Sequence, residues 1–372
     1  MEPIRILQEV VLMNPGGVEN LLMNLYRNMD REKVQFDFLV HRPQSGLYEE
    51  EIKDLGGKIY RTPSFSPFHY NSYKKEIIKV FKDHPEYKVL HAHADLNGWP
   101  VKFAAKCGVP VRIAHSHNSK TSFNLKYLFM KYQQKWIKDY TTHMFMCSTP
   151  AGVWSYGSEA VNSGKVLFVK NGIDTDKFKY NKEVRNIVRT ELGAENKIIF
   201  GHIGRFTEQK NHRFIVEIFN EIHKKNSNTL LVLCGEGRLM NEVKNQVKQL
   251  DLQESVKFLG VRKDPERIYQ AFDLFLFPSL WEGLPLTGIE AQTSGLPVLM
   301  SDVITDETIV TNNVKKYSLQ SSPADWADAA LAMVKDKERK DCSAVVKKAG
   351  FDIKATAAWL QDFYIKCYNQ AK

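Results

Sequence analysis

The apolar positions of this chain fall in short runs that alternate with amphipathic stretches. Ile4–Leu12, Phe36–Val40, Val89–His93, Val111–Ala114, Met144–Ser148 and Val166–Lys170 are β-rich runs bounded by polar or glycine-containing turns. Val18–Met29 and Trp99–Lys106 carry helical spacing between them. A second series begins at Ile198–Gly201. It continues through a helix at His212–His223, a strand at Leu230–Cys234, a helix at Leu239–Leu250 and a strand at Val256–Leu259. A helix at Pro265–Ala271, a strand at Leu274–Phe277, a helix after Pro285 and a strand at Pro297–Ser301 complete it. Continuous apolar strands separated by helices predict parallel sheets covered on both faces. Two series parted near residues 174–196 predict an α/β protein of two doubly wound, Rossmann-like domains, expected over 1–178 and 179–353. Ligands of such sheets bind beyond the strand C-termini, so a central cleft faced by both domains is the expected site.

Composition narrows the class. Of the 372 residues, 43 % are hydrophobic and 26 % charged, the balance of a soluble globular protein rather than a disordered or collagenous one. No apolar run approaches the roughly 18–20 residues of a membrane-crossing helix. The N-terminus, with Glu2 and then Asn14-Pro15-Gly16-Gly17, does not read as a secretory signal. The five cysteines form no Cys-x-x-Cys pair, which argues against a disulfide framework or a thiolate zinc site. A cytoplasmic protein is expected.

Net charge is +9 and unevenly spread: residues 1–180 hold 25 basic and 18 acidic side chains, the remainder 27 and 25. Residues 96–158 contain eight basic residues and one acid, Asp139. A local excess of this kind suits nucleic acid, an anionic membrane or a phosphate-bearing substrate, and equally a solvated basic face. No nucleic-acid-binding module accompanies it, so nucleic acid is not expected as a partner. Thr121–Tyr140 interleaves Lys126, Lys131, Lys135 and Lys138 with Phe123, Tyr127, Phe129, Tyr132, Trp136 and Tyr140. That pattern fits peripheral contact with an anionic membrane as well as a helix covering its own core.

The densest chemical signal runs from Pro278 to Ala291. Glu282 precedes, and Glu290 sits within, a short helix expected to open at Pro285. The N–H groups near Leu286, Thr287 and Gly288 would form an anion site, and the two acids can touch two parts of one extended ligand. Arg205 and Lys210 flank the loop after the first strand of the second series, one as a fork and one as a point charge suited to a diphosphate. Asn14-Pro15-Gly16-Gly17-Val18-Glu19 is a strand–glycine turn–helix junction, and Gly235-Glu236-Gly237 is a second glycine pair. Both lack the third glycine of a dinucleotide fingerprint. His115-Ser116-His117-Asn118 follows one strand and His91-Ala92-His93 ends another. No third ligand is signalled by their spacing, so no metal is expected there.

Together these stretches resemble glycosyltransferase family 4, the retaining enzymes of the two-domain GT-B fold, and within it bacterial capsule and exopolysaccharide glycosyltransferases. The resemblance rests on Gly16-Gly17-Val18-Glu19, His115-Ser116-His117-Asn118, and Lys170-Asn171-Gly172-Ile173-Asp174 with Phe178. It continues with Gly204-Arg205 and Lys210, Phe258-Leu259-Gly260, the Glu-x7-Glu run Phe277–Glu290, Ser301-Asp302 and Glu307. It implies that Arg205 and Lys210 hold a donor diphosphate, approached by Gly16 and Gly17. It also implies that Glu290 binds the ribose, Glu282 the donor sugar, and Leu286 and Thr287 the sugar or phosphate through backbone N–H groups. Arg262 would flank the base and His115 would lie near the reacting carbon. His93, His117 and Asn118 fall on the acceptor side, and the C-terminal helix (354–372) would cross back to the first domain. The implied reaction is metal-independent transfer of a hexose or N-acetylhexosamine from a nucleotide sugar, UDP-linked in the first instance and GDP-mannose in the second. The acceptor would be a saccharide or lipid-linked saccharide, and no cofactor is required. Asp174-Thr175-Asp176 also matches the Asp-x-Asp pattern of metal-dependent glycosyltransferases. A catalytically silent GT-B partner subunit, or a basic nucleic-acid-binding protein, is the alternative of another class.

Overall fold

The computed structural model describes residues 2–93, 98–117, 125–335 and 338–371, with backbone alone for 67 and 125–131. They group into two units: residues 1–172 with 353–372, and residues 173–352.

The first unit is built on seven strands: β1 (Ile4–Val10), β2 (Val34–Val40), β3 (Ile59–Arg61), β4 (Val89–Ala92), β5 (Val111–Ser116), β6 (His143–Met146) and β7 (Val166–Phe168). Their order is β3-β2-β1-β4-β5-β6-β7, and every pairing is parallel. Successive residues of β1 serve opposite faces. Ile6 joins a cluster with Leu22, Tyr26, Phe36, Leu360 and Tyr364, whereas Leu7 joins Tyr73, Ile77, Leu90 and Phe103. Both faces are therefore dry, which is why the strands read as unbroken apolar runs. The helix Ile353–Gln370 supplies Leu360 and Tyr364 to the first cluster and so belongs to this unit.

The second unit carries β8 (Ile198–Ile203), β9 (Thr229–Cys234), β10 (Val256–Phe258), β11 (Leu274–Phe277), β12 (Val298–Ser301) and β13 (Val314–Tyr317), in the parallel order β10-β9-β8-β11-β12-β13. Residues 173–178 belong to it: the Ile173 N–H donates to Phe351 O at 2.8 Å. Phe200, Ile215, Phe219, Leu231, Leu276 and Trp326 fill its core. Ser322 caps the helix Pro323–Val334 in a reciprocal box with Asp325, and Asn181 caps Lys182–Glu191.

Two local expectations are corrected. β5 runs on through His115 and Ser116, because both continue the pairing with β6 opposite Phe145 and Met146. Pro285 is the capping residue, with extended ψ, and the helix Leu286–Thr293 begins one position later. Among the described residues, no helix is long and apolar enough to cross a membrane.

Candidate functional site

In the second unit β8 and β11 are adjacent, so the loops leaving their C-terminal ends meet. The seam is hydrogen-bonded throughout. Leu280 N–H donates to Gln209 O (2.8 Å), the Asn211 amide to Pro278 O (3.1 Å) and the Gln209 amide to Trp281 O (3.0 Å). Asn211 adopts φ 55°, the left-handed turn that launches the helix His212–Lys225. This seam delivers Lys210 to Glu282: Nζ lies 2.6 Å from Oε1, with both side chains largely buried, and the Gln209 amide donates to Oε2 at 3.2 Å. Lys210 Nζ also lies 5.3 Å from the Phe277 ring centroid.

The Arg205 loop is held from the other side by the glycine pair after β9. Phe206 N–H donates to Glu236 O (2.9 Å) and Gly204 N–H to Cys234 O (2.9 Å). Gly235 has φ 131°, and a Cβ there would sit 2.1 Å from Gly204 O. Gly235-Glu236-Gly237 therefore cradles the protein's own Arg205 loop. Arg205 itself is exposed.

Glu290, on the second turn of Leu286–Thr293, accepts from Tyr269 Oη (Oε2, 3.0 Å), which also lies 3.2 Å from Thr287 O. Burial pushes the Glu290 carboxyl up to about 7, against the opposing pull of the Tyr269 hydroxyl. The N–H groups of Leu286 and Thr287 fall in the first turn, where no intrahelical acceptor exists. Thr287 Oγ1 is buried without a hydrogen-bond partner among the described residues. Arg262, exposed, is forked onto the Asp264 carboxylate at 2.8 and 2.7 Å. Lys210, Glu282, Leu286, Thr287 and Glu290 thus gather on two neighbouring loops and one helix. Tyr269 and Gln209, which orient the two glutamates, had no signal in the sequence: Tyr269 lies 21 residues from the acid it touches.

Asp174 Oδ1 accepts from Lys177 N–H at 3.0 Å, a local turn cap. Among the described residues no group of three metal-ligating side chains includes Asp174 or Asp176.

In the first unit, Gly16 caps the helix Gly17–Asn28, and a Cβ added at Gly17 would meet nothing within 4 Å. The unit's own packing does not demand that glycine. His91 and His93 on β4 and its end, and His115 and His117 on β5 and its end, share one face at two-residue spacing. Ring centroids are 4.1 Å apart for His91–His93 and for His115–His117, and 5.4 Å for His93–His115. Strand register, not spacing, supplies the third neighbour that the sequence did not signal. Burial, reinforced by neighbouring imidazoles, holds His91, His93 and His115 well below the usual histidine range, and burial puts His117 at about 3. Asn118 and residues 121–124 lie outside the described residues. In the described part of the basic–aromatic stretch, Trp136 packs over Lys102 Nζ (3.2 Å to the centroid), whereas Tyr132, Lys135 and Lys138 are exposed.

Residues 15–177 match the family described as Glycosyltransferase Family 4, and residues 184–349 that described as Glycosyl transferases group 1. EpsF of Bacillus subtilis (strain 168), named as a glycosyltransferase, is 34 % identical over 368 residues, covering 97 % of this chain and 96 % of that protein. UDP-Gal:alpha-D-GlcNAc-diphosphoundecaprenol alpha-1,3-galactosyltransferase of Escherichia coli is 28 % identical over 366 residues, 94 % of each chain. Alr3699/HepE of Anabaena, solved with UDP and glucose, shares the fold with TM-score 0.81 at 17 % identity, over 98 % of this chain and 100 % of that one.

Proposed function

The chain belongs to glycosyltransferase family 4, and on that premise we propose a retaining, metal-independent transferase of capsule or exopolysaccharide synthesis. It moves a hexose or N-acetylhexosamine from a UDP-sugar to a saccharide or lipid-linked saccharide, with GDP-mannose as the alternative donor. One observation carries this reading. Lys210 and Glu282 are paired at 2.6 Å beside the open first turn of the helix that bears Glu290. Cation, helix N-terminus and two differently held carboxylates suit a diphosphate linked to two polyols. The Anabaena structure with UDP and glucose, and the galactosyl donor and undecaprenyl diphosphate acceptor in the E. coli relative's name, support a UDP-sugar and a lipid-linked acceptor.

In this reading, breaking the anomeric C–O bond places negative charge on the departing diphosphate. Arg205, Lys210 and the Leu286 and Thr287 N–H groups stabilise it in the transition state. The departing phosphate oxygen takes the acceptor hydroxyl's proton, the acceptor oxygen bonds to the anomeric carbon on the same face, and nucleoside diphosphate leaves. Glu282 orients the sugar, Glu290 the ribose and Arg262 the base. Gly16, Gly17 and His115 are the first unit's contribution, with His93, His117 and Asn118 toward the acceptor. The protein works in the cytoplasm, and exposed Tyr132, Lys135 and Lys138 favour a peripheral membrane contact through 121–140. Binding to anionic liposomes at low salt tests that contact.

Acceptor-free hydrolysis of UDP-glucose, UDP-galactose, UDP-N-acetylglucosamine and GDP-mannose, with the anomer of the released sugar read by NMR, tests the chemistry. One UDP-sugar is expected to turn over with retention. Undiminished turnover by Glu290→Ala would sink the donor assignment. Loss in EDTA that Mg2+ or Mn2+ restores would overturn metal independence.

A further inference from the structure

The first unit carries a second cluster of chemistry, independent of the donor-binding charges of the other unit. His91, His93 and His115 are 1 %, 4 % and 3 % exposed, and each can offer a ring nitrogen within 4.8 Å of those of the other two. Among the described residues, the hydrogen bonds of His91 and His115 are incomplete. His91 Nδ1 lies 2.6 Å from Tyr364 Oη, which leaves Nε2, and His91 Nε2 has no partner among the described residues. His115 has none on either nitrogen. Buried ring nitrogens are normally satisfied, so three that are not, on two adjacent side chains, point to a ligand. His93 Nε2 lies 2.9 Å from Gln8 Oε1, and because an amide oxygen only accepts, that contact makes Nε2 the N–H and leaves Nδ1 with a lone pair. Nδ1 lies 3.0 Å from His117 Nε2, which can supply the proton it accepts.

We propose that His91, His93 and His115 form a transition-metal site for Zn2+ or a similar late first-row divalent ion. The donor set is all imidazole, which suits such ions and not Mg2+ or Ca2+, whose ligands are oxygens. The other nitrogens of His91 and His93 are already engaged by Tyr364 and Gln8, the kind of outer contact that fixes ring and tautomer in metal sites. Zinc–nitrogen bonds of about 2.0–2.1 Å set ligand nitrogens about 3.4 Å apart in a tetrahedron, so nitrogens now within 4.8 Å of one another draw together by up to about 1.4 Å per pair. His93 Nδ1 exchanges His117 for the metal, and a fourth position stays open to water or His117. The ion ties the ends of β4 and β5 to each other and, through Tyr364, to the C-terminal helix.

The test is Co2+ titration of the metal-stripped full chain, followed by visible spectroscopy. One equivalent is expected to give the intense d–d bands of a four- or five-coordinate site. Zn2+ should abolish them and raise Tm, while Mg2+ should do neither. Loss of an outer contact alone commonly costs about 10–100-fold in metal affinity, and His91→Gln removes a ligand together with its contact to Tyr364, so it should weaken Co2+ binding by at least about tenfold. Wild-type protein that shows no such bands at excess Co2+, or no Tm change with Zn2+, overturns the proposal whether or not any variant folds. So does His91→Gln that folds and binds Co2+ as tightly as the wild type. None of these readouts depends on sugar transfer.

Discussion

Replacing Tyr269 by phenylalanine isolates one hydrogen bond. Tyr269 is fully buried, and its hydroxyl donates to the carboxylate of Glu290 at 3.0 Å. The ring stays in place against Phe178 and Phe275, so packing is preserved. The wild-type Glu290 carboxyl stands at about 7 because burial outweighs this bond, which favours the ionised form. A hydrogen bond to a charged group contributes about 1.5–3 kcal/mol. At 1.36 kcal/mol per pH unit, losing it moves the carboxyl up by about one to two units. At pH 7 the ionised fraction then falls from about half to between about 1 and 10 %, a loss of roughly 5- to 50-fold. If ionised Glu290 accepts the ribose hydroxyls, kcat/KM for the UDP-sugar drops by the same factor at pH 7 and recovers as pH rises. Acceptor-free hydrolysis measured from pH 5.5 to 9.5, with Tm as a folding control, reads it. An acid limb that stays near pH 7 in a folded Tyr269→Phe protein refutes the coupling. So does a uniform loss at every pH, which would mean that the hydroxyl touches substrate directly.

The same carboxyl affects stability. Its value is raised from 4.5 to about 7 in the folded chain, so the native state binds the extra proton between those limits. Stability falls as pH rises through that window, by up to about 3 kcal/mol. Glu290→Gln should therefore be more stable than wild type at pH 8 and no more stable at pH 4, and equal urea midpoints for the two proteins at both pH values would contradict this. Gly17→Ala adds a Cβ that meets nothing in its own unit, so Tm should hold or rise while UDP-sugar turnover falls. Unchanged turnover would remove Gly17 from the donor's surroundings. Arg339 is half-buried, and desolvation of its guanidinium lowers it to about 9, yet it donates to the carbonyls of Tyr269, Gln270, Phe272 and Ser294. Arg339→Met should cost about 2 kcal/mol or more, because the Tyr269 and Ser294 oxygens lose this donor, whereas Gln270 O and Phe272 O keep Arg185 Nη1. A urea midpoint within error of wild type would show that water replaces it. Lys210→Met removes the cation 2.6 Å from the buried Glu282 carboxylate, and should cut donor turnover at least about 100-fold. An intact rate would free Lys210 from the reaction.

The alternation of apolar runs and helical spacing was enough for two parallel, doubly wound sheets, because each strand's burial on both faces is written in its own residues. Residues 278–291 were legible for a similar reason: strand, turn, proline and helix start are short-range choices. Element ends were less so. β5 extends through His115 only because β6 offers partners beside it, and the helix Pro323–Val334, closed by the Ser322–Asp325 box, has no counterpart among the expected elements. Pairings across elements were not legible at all. Gly235-Glu236-Gly237 carries two glycines of a dinucleotide fingerprint, yet it holds the protein's own Arg205 loop. Tyr269 meets Glu290, Arg339 meets three carbonyls around residue 270 and that of Ser294, and Tyr364 meets His91 across 273 residues of sequence. Local period, capping and turn chemistry act within a few residues, so the sequence alone determined the layers and the loops that carry chemistry. Which buried polar groups face one another depends on strand register and on which helix covers which face. Only the tertiary structure could bring two separated His-x-His pairs into one cluster, or decide which tyrosine would hold the acid of Glu290.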